Sequence, residues 1–445
     1  MSAHREIEFL QIAEEWEAAR LGRVENPLLL EMRNGLTVEQ SKESGEHRIT
    51  RIETISDGTI AEDRVRYASG LREKDVEKYR LQRGDILFSH INSDPHLGKT
   101  AIARKNYDDL LHGMNLLLLR TNRRVLEPDF LHLVCCLYRQ KGVFVKICSR
   151  SVNQSSINQA KLKALEIPLP PLPEQRKIAG VLGLVQRAME QQERLIEKTA
   201  ELKKTLLHQL FTQGTRGEPQ KQTDLGPVPE SWEVGKIGDV AKTQSGGTPA
   251  RDKPEYWKDG TIPWVKTGEI DYCVIEKTEE HITAKGLADS ATKLFPKGTL
   301  LMAMYGQGVT RGRVALLGID ATTNQACAAI TPRSEHQVSS RYLYSYLEYH
   351  YENLRKLGHG ANQKNMNAAL IRGFPLTLPK PDEQNDIVTA LSSVDSKLAN
   401  HRRKHATLSA LFRTLLHQLM TAQLRVHDLE LDGILEQAVQ ETDAP

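Results

Sequence analysis

The chain has 445 residues, 39% apolar and 26% charged, and its 60 Lys and Arg against 57 Asp and Glu leave a net charge of +3. This is the composition of a globular protein with room for two to four domains, and so mild a basic balance supports nucleic-acid binding only weakly. No apolar run approaches the ~20 residues that span a bilayer, the opening "MSAHREIEFLQIAEEWEAAR" is too charged for a signal peptide, and the five cysteines share no CxxC spacing, so reduced thiols in a cytoplasmic protein are expected.

Residues 1–166 alternate short β-rich runs such as "DILFSHI" and "NLLLLRT" with turn residues and a helical "DFLHLVCCLYRQ", which predicts an α+β head. "EIPLPPLPEQ" cannot be helical, because proline lacks the amide and restrains its predecessor. Pro173 suits a first helical position and Glu174 complements the dipole of a first turn. The segment 167–213 then carries an apolar seam with 4-3 spacing: Ile178, Leu182, Val185, Met189, Gln192, Leu206 and Leu210 among its positions. A turn-rich linker opens 214–375, a second α+β head with "TLLMAMY", "CAAITP" and "RYLYSYLEYHYENLRK". The segment 376–425 repeats the helix, with Ile387, Leu391, Val394, Leu398, His401, Leu415 and Leu419 on its seam, and 426–445 is an acidic tail. A seam of period 3.5 held over several heptads predicts coiled-coil pairing. At 1.5 Å per residue each helix should be roughly 55 Å long.

The two halves are copies. "KTLLHQLFT" begins at Lys204 and "RTLLHQLMT" at Arg413, 209 positions on, and the offset holds upstream: Leu182 falls on Leu391, Glu174-Gln175 on Glu383-Gln384, Asn158 on Asn367. Further back "EEWEAARLGRV" resembles "ESWEVGKIGDV", with loops of different length between. The short linker puts the second head beside the end of the first helix, and that head also runs into the start of the second. The helices must therefore pair antiparallel, giving a pseudo-twofold rod with a head at each end and Gln192 meeting His401 near the middle.

Catalytic signatures are missing. "LGKT" lacks the first glycine of a phosphate loop, the glycines of "YGQGVTRG" miss the dinucleotide spacing, and HExxH and GxSxG do not occur. Recurrent His208 and His417 read as packing residues rather than metal ligands. Polar loops suggest DNA contact instead. In head two "MYGQGVTRGRVA" offers Tyr305, Gln307, Thr310, Arg311 and Arg313, where arginine can pair with guanine and glutamine with adenine. The alternative is a tight hairpin with solvated arginines. "QSGGTPARDKPEYWKDG" adds Gly246, Thr248 and Arg251, and "WVKTGEI" adds Lys266 and Thr267. Head one offers Arg48, Arg51 and Thr54, then His90, Asn92, Ser93 and Lys99. The loops around Asn158 and Asn367 either cap a helix or, through Arg150 and Lys364, touch phosphate.

On the "P-x-P-x-x-EQ-x-x-I" helix openings, the "LLHQL" endings, "GPVPESWEVGKIGDVAKTQSGGTP" and the duplicated head-helix order, the sequence resembles the specificity subunits of type I restriction-modification systems over nearly its whole length. The resemblance implies two target recognition domains, each reading half of a split double-stranded DNA site, and helices that space them and dock two methyltransferase subunits. It implies a non-catalytic chain without a cofactor, whose partners use S-adenosylmethionine, ATP and Mg, the restriction subunits joining through the complex. The outward helix surface is expected to include Gln186, Arg187 and Glu193. The alternative from another class is a coiled-coil scaffold with two protein-binding heads.

Overall fold

A computed structural model describes residues 4–56, 58–151, 154–306, 309–357 and 366–428. The chain forms two compact units, one holding the residues up to Gln192 and from Lys404 onward, the other Glu193–Arg403. Each unit is a head with parts of both long helices.

The long helices are Leu172–Gln213 and Pro381–Met420, of 42 and 40 residues. At 1.5 Å per residue they are about 63 and 60 Å long. In the first unit Ile178, Val181 and Leu182, from the start of one helix, share a core with Phe412, Leu416, Leu419 and Met420, from the end of the other. In the second unit Leu207, Leu210 and Phe211 share a core with Ile387 and Leu391. Start packs on end in both units, so the pairing is antiparallel. Val185, Met189 and Leu415 lie partly buried against the first core and Leu206 against the second. Val394 and Leu398 are buried, while Gln192 and His401 are half-buried and belong to different units. None of the described helices is long and apolar enough to cross a membrane.

Each head is built on an antiparallel sheet. In head one the strand order is Thr100–Ile102, Ile86–Ser89, Leu116–Thr121, Leu29–Asn34. In head two the matching order is Val314–Leu317, Leu300–Ala303, Cys327–Pro332, Ala241–Ser245, and Val274–Ile275 adds a parallel edge beside Val314–Leu317. The central strands are buried on both faces, which accounts for their continuous apolar runs.

The repeated "W" and "EQ" signatures are the joints between head and helix. Trp16 Nε1 donates to Glu174 at 3.1 Å, and Trp232 Nε1 donates to Glu383 at 3.1 Å. Gln175 donates to the carbonyls of Val125 and Pro170 and accepts from the Glu127 amide, each at 2.9 Å. Gln384 makes the same three bonds, to Gln337 and Pro379 and from Ser339. These bonds satisfy amide groups that would otherwise be buried without partners. The strand Glu17–Arg20 pairs with Glu166–Leu169, as Glu233–Lys236 pairs with Pro375–Leu378.

The duplication runs further than the sequence shows. A hairpin, His4–Ile7 with Leu10–Ala13, precedes Trp16, and a hairpin, Gln220–Thr223 with Gly226–Pro229, precedes Trp232. After the helices, Thr212 donates to the His208 carbonyl and Thr421 to the His417 carbonyl, both at 2.7 Å. Arg216 then lies 3.9 Å from Glu383, and Arg425 lies 3.2 Å from Glu174.

Candidate nucleic-acid interface

In head two, one sequence-distant cluster gathers several of the expected contact residues. Gly246 is required by close approach: a Cβ there would sit 2.1 Å from the Thr323 carbonyl oxygen. The next glycine's carbonyl accepts from Trp264 Nε1 at 3.0 Å. This turn delivers Thr248, whose hydroxyl donates to Gln325, and Arg251, whose guanidinium stacks 3.7 Å from the Trp257 ring centre and 4.7 Å from that of Trp264. Arg251 also pairs with Glu280, and Lys266 pairs with both Glu279 and Glu280. Arg251 holds the Glu280 carboxyl below the usual range, and Glu279 raises the Lys266 ammonium. Thr267 accepts from Asn324 Nδ2 at 3.0 Å. The result is an oriented, half-exposed arginine packed against two touching indoles, with threonine, lysine and amide groups beside it. Cation–π stacking fixes such a guanidinium without using its N–H donors, of which Glu280 takes one.

The second head-two loop continues from the first. Arg313 pairs with Asp271 and lies 5.8 Å from the Tyr272 ring centre. Arg311 donates to the Arg355 carbonyl at 2.8 Å. Thr310 fills the space beside Gly306 and its carbonyl accepts from the Arg313 amide at 3.1 Å. Tyr305 is 37% exposed. Gln307 and Lys364 lie outside the described residues.

Head one places its candidates differently. Arg48 forks onto Asp109 at 2.7 and 2.8 Å and reaches Glu62 at 2.8 Å. Those carboxylates raise its pKa still further. Arg48 lies on His47–Ile49, the central strand of a three-stranded sheet, and a guanidinium held this way must leave its partners before it can read a base. Thr54 was expected to contact DNA, but it is buried, donating to the Arg51 carbonyl at 2.6 Å and accepting from the Arg51 amide at 3.2 Å. It is a turn-forming residue with no surface to offer. Arg51 itself lies 3.4 Å from Glu53. His90 is half-buried and burial pushes its pKa down to about 4, so it is a neutral ring at pH 7. Asn92 donates to Ser89 and accepts from the amide of Ser93, which is exposed, as is His96. Lys99 is half-exposed on the same loop. Arg150 lies 3.4 Å from Asp94, tying this loop to the hairpin Ser149–Ser156.

Asn158 accepts from the Lys161 amide at 2.8 Å and Asn367 from the Leu370 amide at 2.9 Å. Both are helix caps, as the capping reading of those asparagines expects. Sequence reading missed Trp264, Glu280 and Gln325. The tryptophan in "PWVKTGEI" was a visible signal; the carboxylate and amide, 29 and 77 residues from the side chains they hold, were not.

A family model described as the type I restriction modification DNA specificity domain matches residues 14–198 and again 229–410. The chain belongs to this family. It is 34% identical over 95% of its length to the type I restriction enzyme MjaX specificity subunit of Methanocaldococcus jannaschii, covering 96% of that protein. Its fold is that of the type I restriction-modification S subunit from M. genitalium, at 15% identity and a TM-score of 0.62, with 91% of this chain and 96% of that one covered. A second solved type I restriction-modification chain, at 18% identity, gives a TM-score of 0.51 over 93% of this chain and 99% of that one. The chain is thus a specificity subunit rather than a catalytic one, and its two matched stretches coincide with the two copies of head and helix.

Proposed function

We propose that this specificity subunit reads a split, asymmetric site on double-stranded DNA, one half with each head. Its helices dock two copies of one methyltransferase subunit, and restriction subunits join through them. One observation carries this reading: a short exposed stretch near the end of each helix is repeated, while the loops of the two heads differ. Leu202 is 55% exposed and Leu411, its equivalent 209 positions on, is 43% exposed. Leu202, Thr205 and Gln209 lie on one helical face, and Leu411, Thr414 and Gln418 repeat it residue for residue. Leu207 and Leu210 recur as the buried Leu416 and Leu419, but two other buried neighbours change, Lys203 to Phe412 and Phe211 to Met420, so the repeated outer residues do not simply follow a repeated core. The same outer stripe presented twice fits two identical partners. Loops of different length and chemistry fit two different half-sites.

In this reading basic loop residues supply salt-dependent phosphate affinity, while Thr248, Arg251 and their neighbours discriminate bases. The chain works in the cytoplasm and binds no cofactor. S-adenosylmethionine belongs to the methyltransferase subunits, and ATP and Mg to the restriction subunits.

The test is methylome sequencing of cells expressing the chain with its methyltransferase partner. The expected pattern is a split methylated motif; Arg251→Ala relaxes one half only, by about 1–3 kcal/mol of base discrimination. Leu202→Asp should leave the chain folded and lower the methyltransferase-to-specificity ratio from two to one in native mass spectrometry. An unsplit motif, or a motif indifferent to this chain, would sink the proposal.

A further inference from the structure

Between head one and the first long helix lies a cleft of about 570 Å³. Its floor is a small-residue stripe of the helix, Ala179, Gly180 and Gly183, facing Ile102 and Ala103. Its rim carries Arg83, Arg104 and Arg123 from the head and Arg176 and Arg187 from the helix, against Glu127, Asp129 and Glu190. Gln186 and Arg187, expected on the outward face of the helix, line this cleft instead. The duplication breaks here: 209 positions on, Val388, Thr389 and Ser392 replace the small residues, and Asn385 and Ser396 replace Arg176 and Arg187. The small-residue floor and the two helix arginines therefore belong to the first copy's helix and are not repeated in the second.

A second feature also falls outside the repeat. In the first copy the chain passes from its helix through Arg216 into the hairpin Gln220–Pro229. In the second copy it passes through Arg425, but the equivalent hairpin is already supplied by His4–Ala13. Residues 429–445, "LELDGILEQAVQETDAP", thus have no counterpart position to fill. They carry five carboxylates and no Lys or Arg, interleaved with Leu429, Leu431, Ile434, Leu435 and Val439.

We propose that the cleft is a docking site for an acidic-apolar segment and that its occupant is residues 429–445 of this chain. Asp129 already pairs with Arg104 and Glu127 with Arg176, yet five arginines against three carboxylates leave the rim a net positive charge that complements an acidic segment. Apolar side chains suit the glycine-lowered floor, which a phosphate backbone would leave unused. "LELD" in an extended conformation presents leucines to one side and carboxylates to the other. Reach is ample. Arg425 is ion-paired to Glu174 in the first turn of the helix that bears the cleft. Seventeen residues span up to ~55 Å, and Arg176 to Glu190 covers about 21 Å of helix.

The test uses the full chain. Hydrogen exchange of the 429–445 amides should be at least tenfold slower than in a free synthetic peptide of the same sequence. Arg176→Glu with Arg187→Glu should remove that protection, and so should the combined Glu430→Lys, Asp432→Lys and Glu436→Lys; uniting the two sets should restore it. Exchange in Glu193–Arg403 serves as the folding control and should not change. Peptide-like exchange in the native chain, or protection that survives the arginine reversals, overturns the proposal. It is equally overturned if duplex DNA protects the cleft and the synthetic peptide fails to displace it, which would assign the cleft to nucleic acid. None of these outcomes depends on which bases the heads read.

Discussion

In the second unit Lys203 is buried with its ammonium 2.6 Å from Glu348 and 2.7 Å from Asp395. In the first unit the equivalent position is Phe412, buried in an apolar core with Leu182 and Met420. The same joint between head and paired helices is filled once by an ion triad and once by hydrocarbon. Burial raises the Glu348 carboxyl even though Lys203 pulls it down, so desolvation outweighs pairing at that group. A buried pair is weak evidence of net stability, yet breaking it leaves an uncompensated charge. The ionic joint is therefore the one expected to suffer most from the loss of a single partner.

The largest effect should come from breaking the triad. Lys203→Met should cost about 3–5 kcal/mol, confined to the second unit. Hydrogen exchange of the helix Ser340–Tyr349 should rise while that of Pro128–Gln140 holds. Adding Glu348→Leu, which imitates the apolar joint, should recover most of the loss. Equal losses in both units would show that they do not unfold separately. A cost below about 1 kcal/mol would show that Glu348 accepts a proton in place of its partner.

How much of this was legible in the sequence follows from the range of each interaction. The duplication, the seam and the antiparallel pairing are written in local periodicity and in the length of one linker, so they could be read directly. The recurrence of Trp16 and Trp232 was visible, but their acceptors Glu174 and Glu383 lie 158 and 151 residues away and nothing local names them. Arg48 looked like an available cation because Asp109 and Glu62 reach it only through the sheet. Thr54 looked exposed because a polar turn in sequence does not reveal that its hydroxyl closes that turn. Arg187 looked outward because a heptad pattern identifies the seam and is silent about which outer face a head covers. The terminal hairpin escaped notice because it matches its copy in conformation far better than in residues.

Acid should separate the units next. In head one, burial pushes His132 and His90 down to about 4 and His112 to about 3. Head two has one such group among those described, His350, at about 4. The unfolded chain takes up these protons near pH 6.5 while the folded chain refuses them until near pH 4. Stability is therefore complete above about pH 7 and falls as pH drops through that window. At pH 5 the fully buried His132, bonded to Thr100 at 2.8 Å, accounts for about 2 kcal/mol, the more exposed His90 for less. Glu348 works in the opposite sense, because its raised carboxyl binds a proton more readily folded than unfolded and so favours the second unit in acid. Exchange-detected denaturation at pH 7 and pH 5 should show the first unit losing more. Equal pH slopes in the two units would contradict this assignment.

The smallest effect tests where the units should behave alike. Asn158 and Asn367 cap equivalent helices with bonds of 2.8 and 2.9 Å. Each helix is only six residues long, so one lost cap removes a large part of its end-group satisfaction. Replacing either asparagine by alanine should cost about 1 kcal/mol, each in its own unit, and the double variant should show the sum because distant sites add. The heads read as different in every exposed loop, so equal costs would show that the duplication persists as an energetic repeat beneath them. A cap that costs twice as much in one unit would mean that the polar loop before that helix has taken on work beyond closing it, and it would mark that head as the one to examine first for phosphate contact.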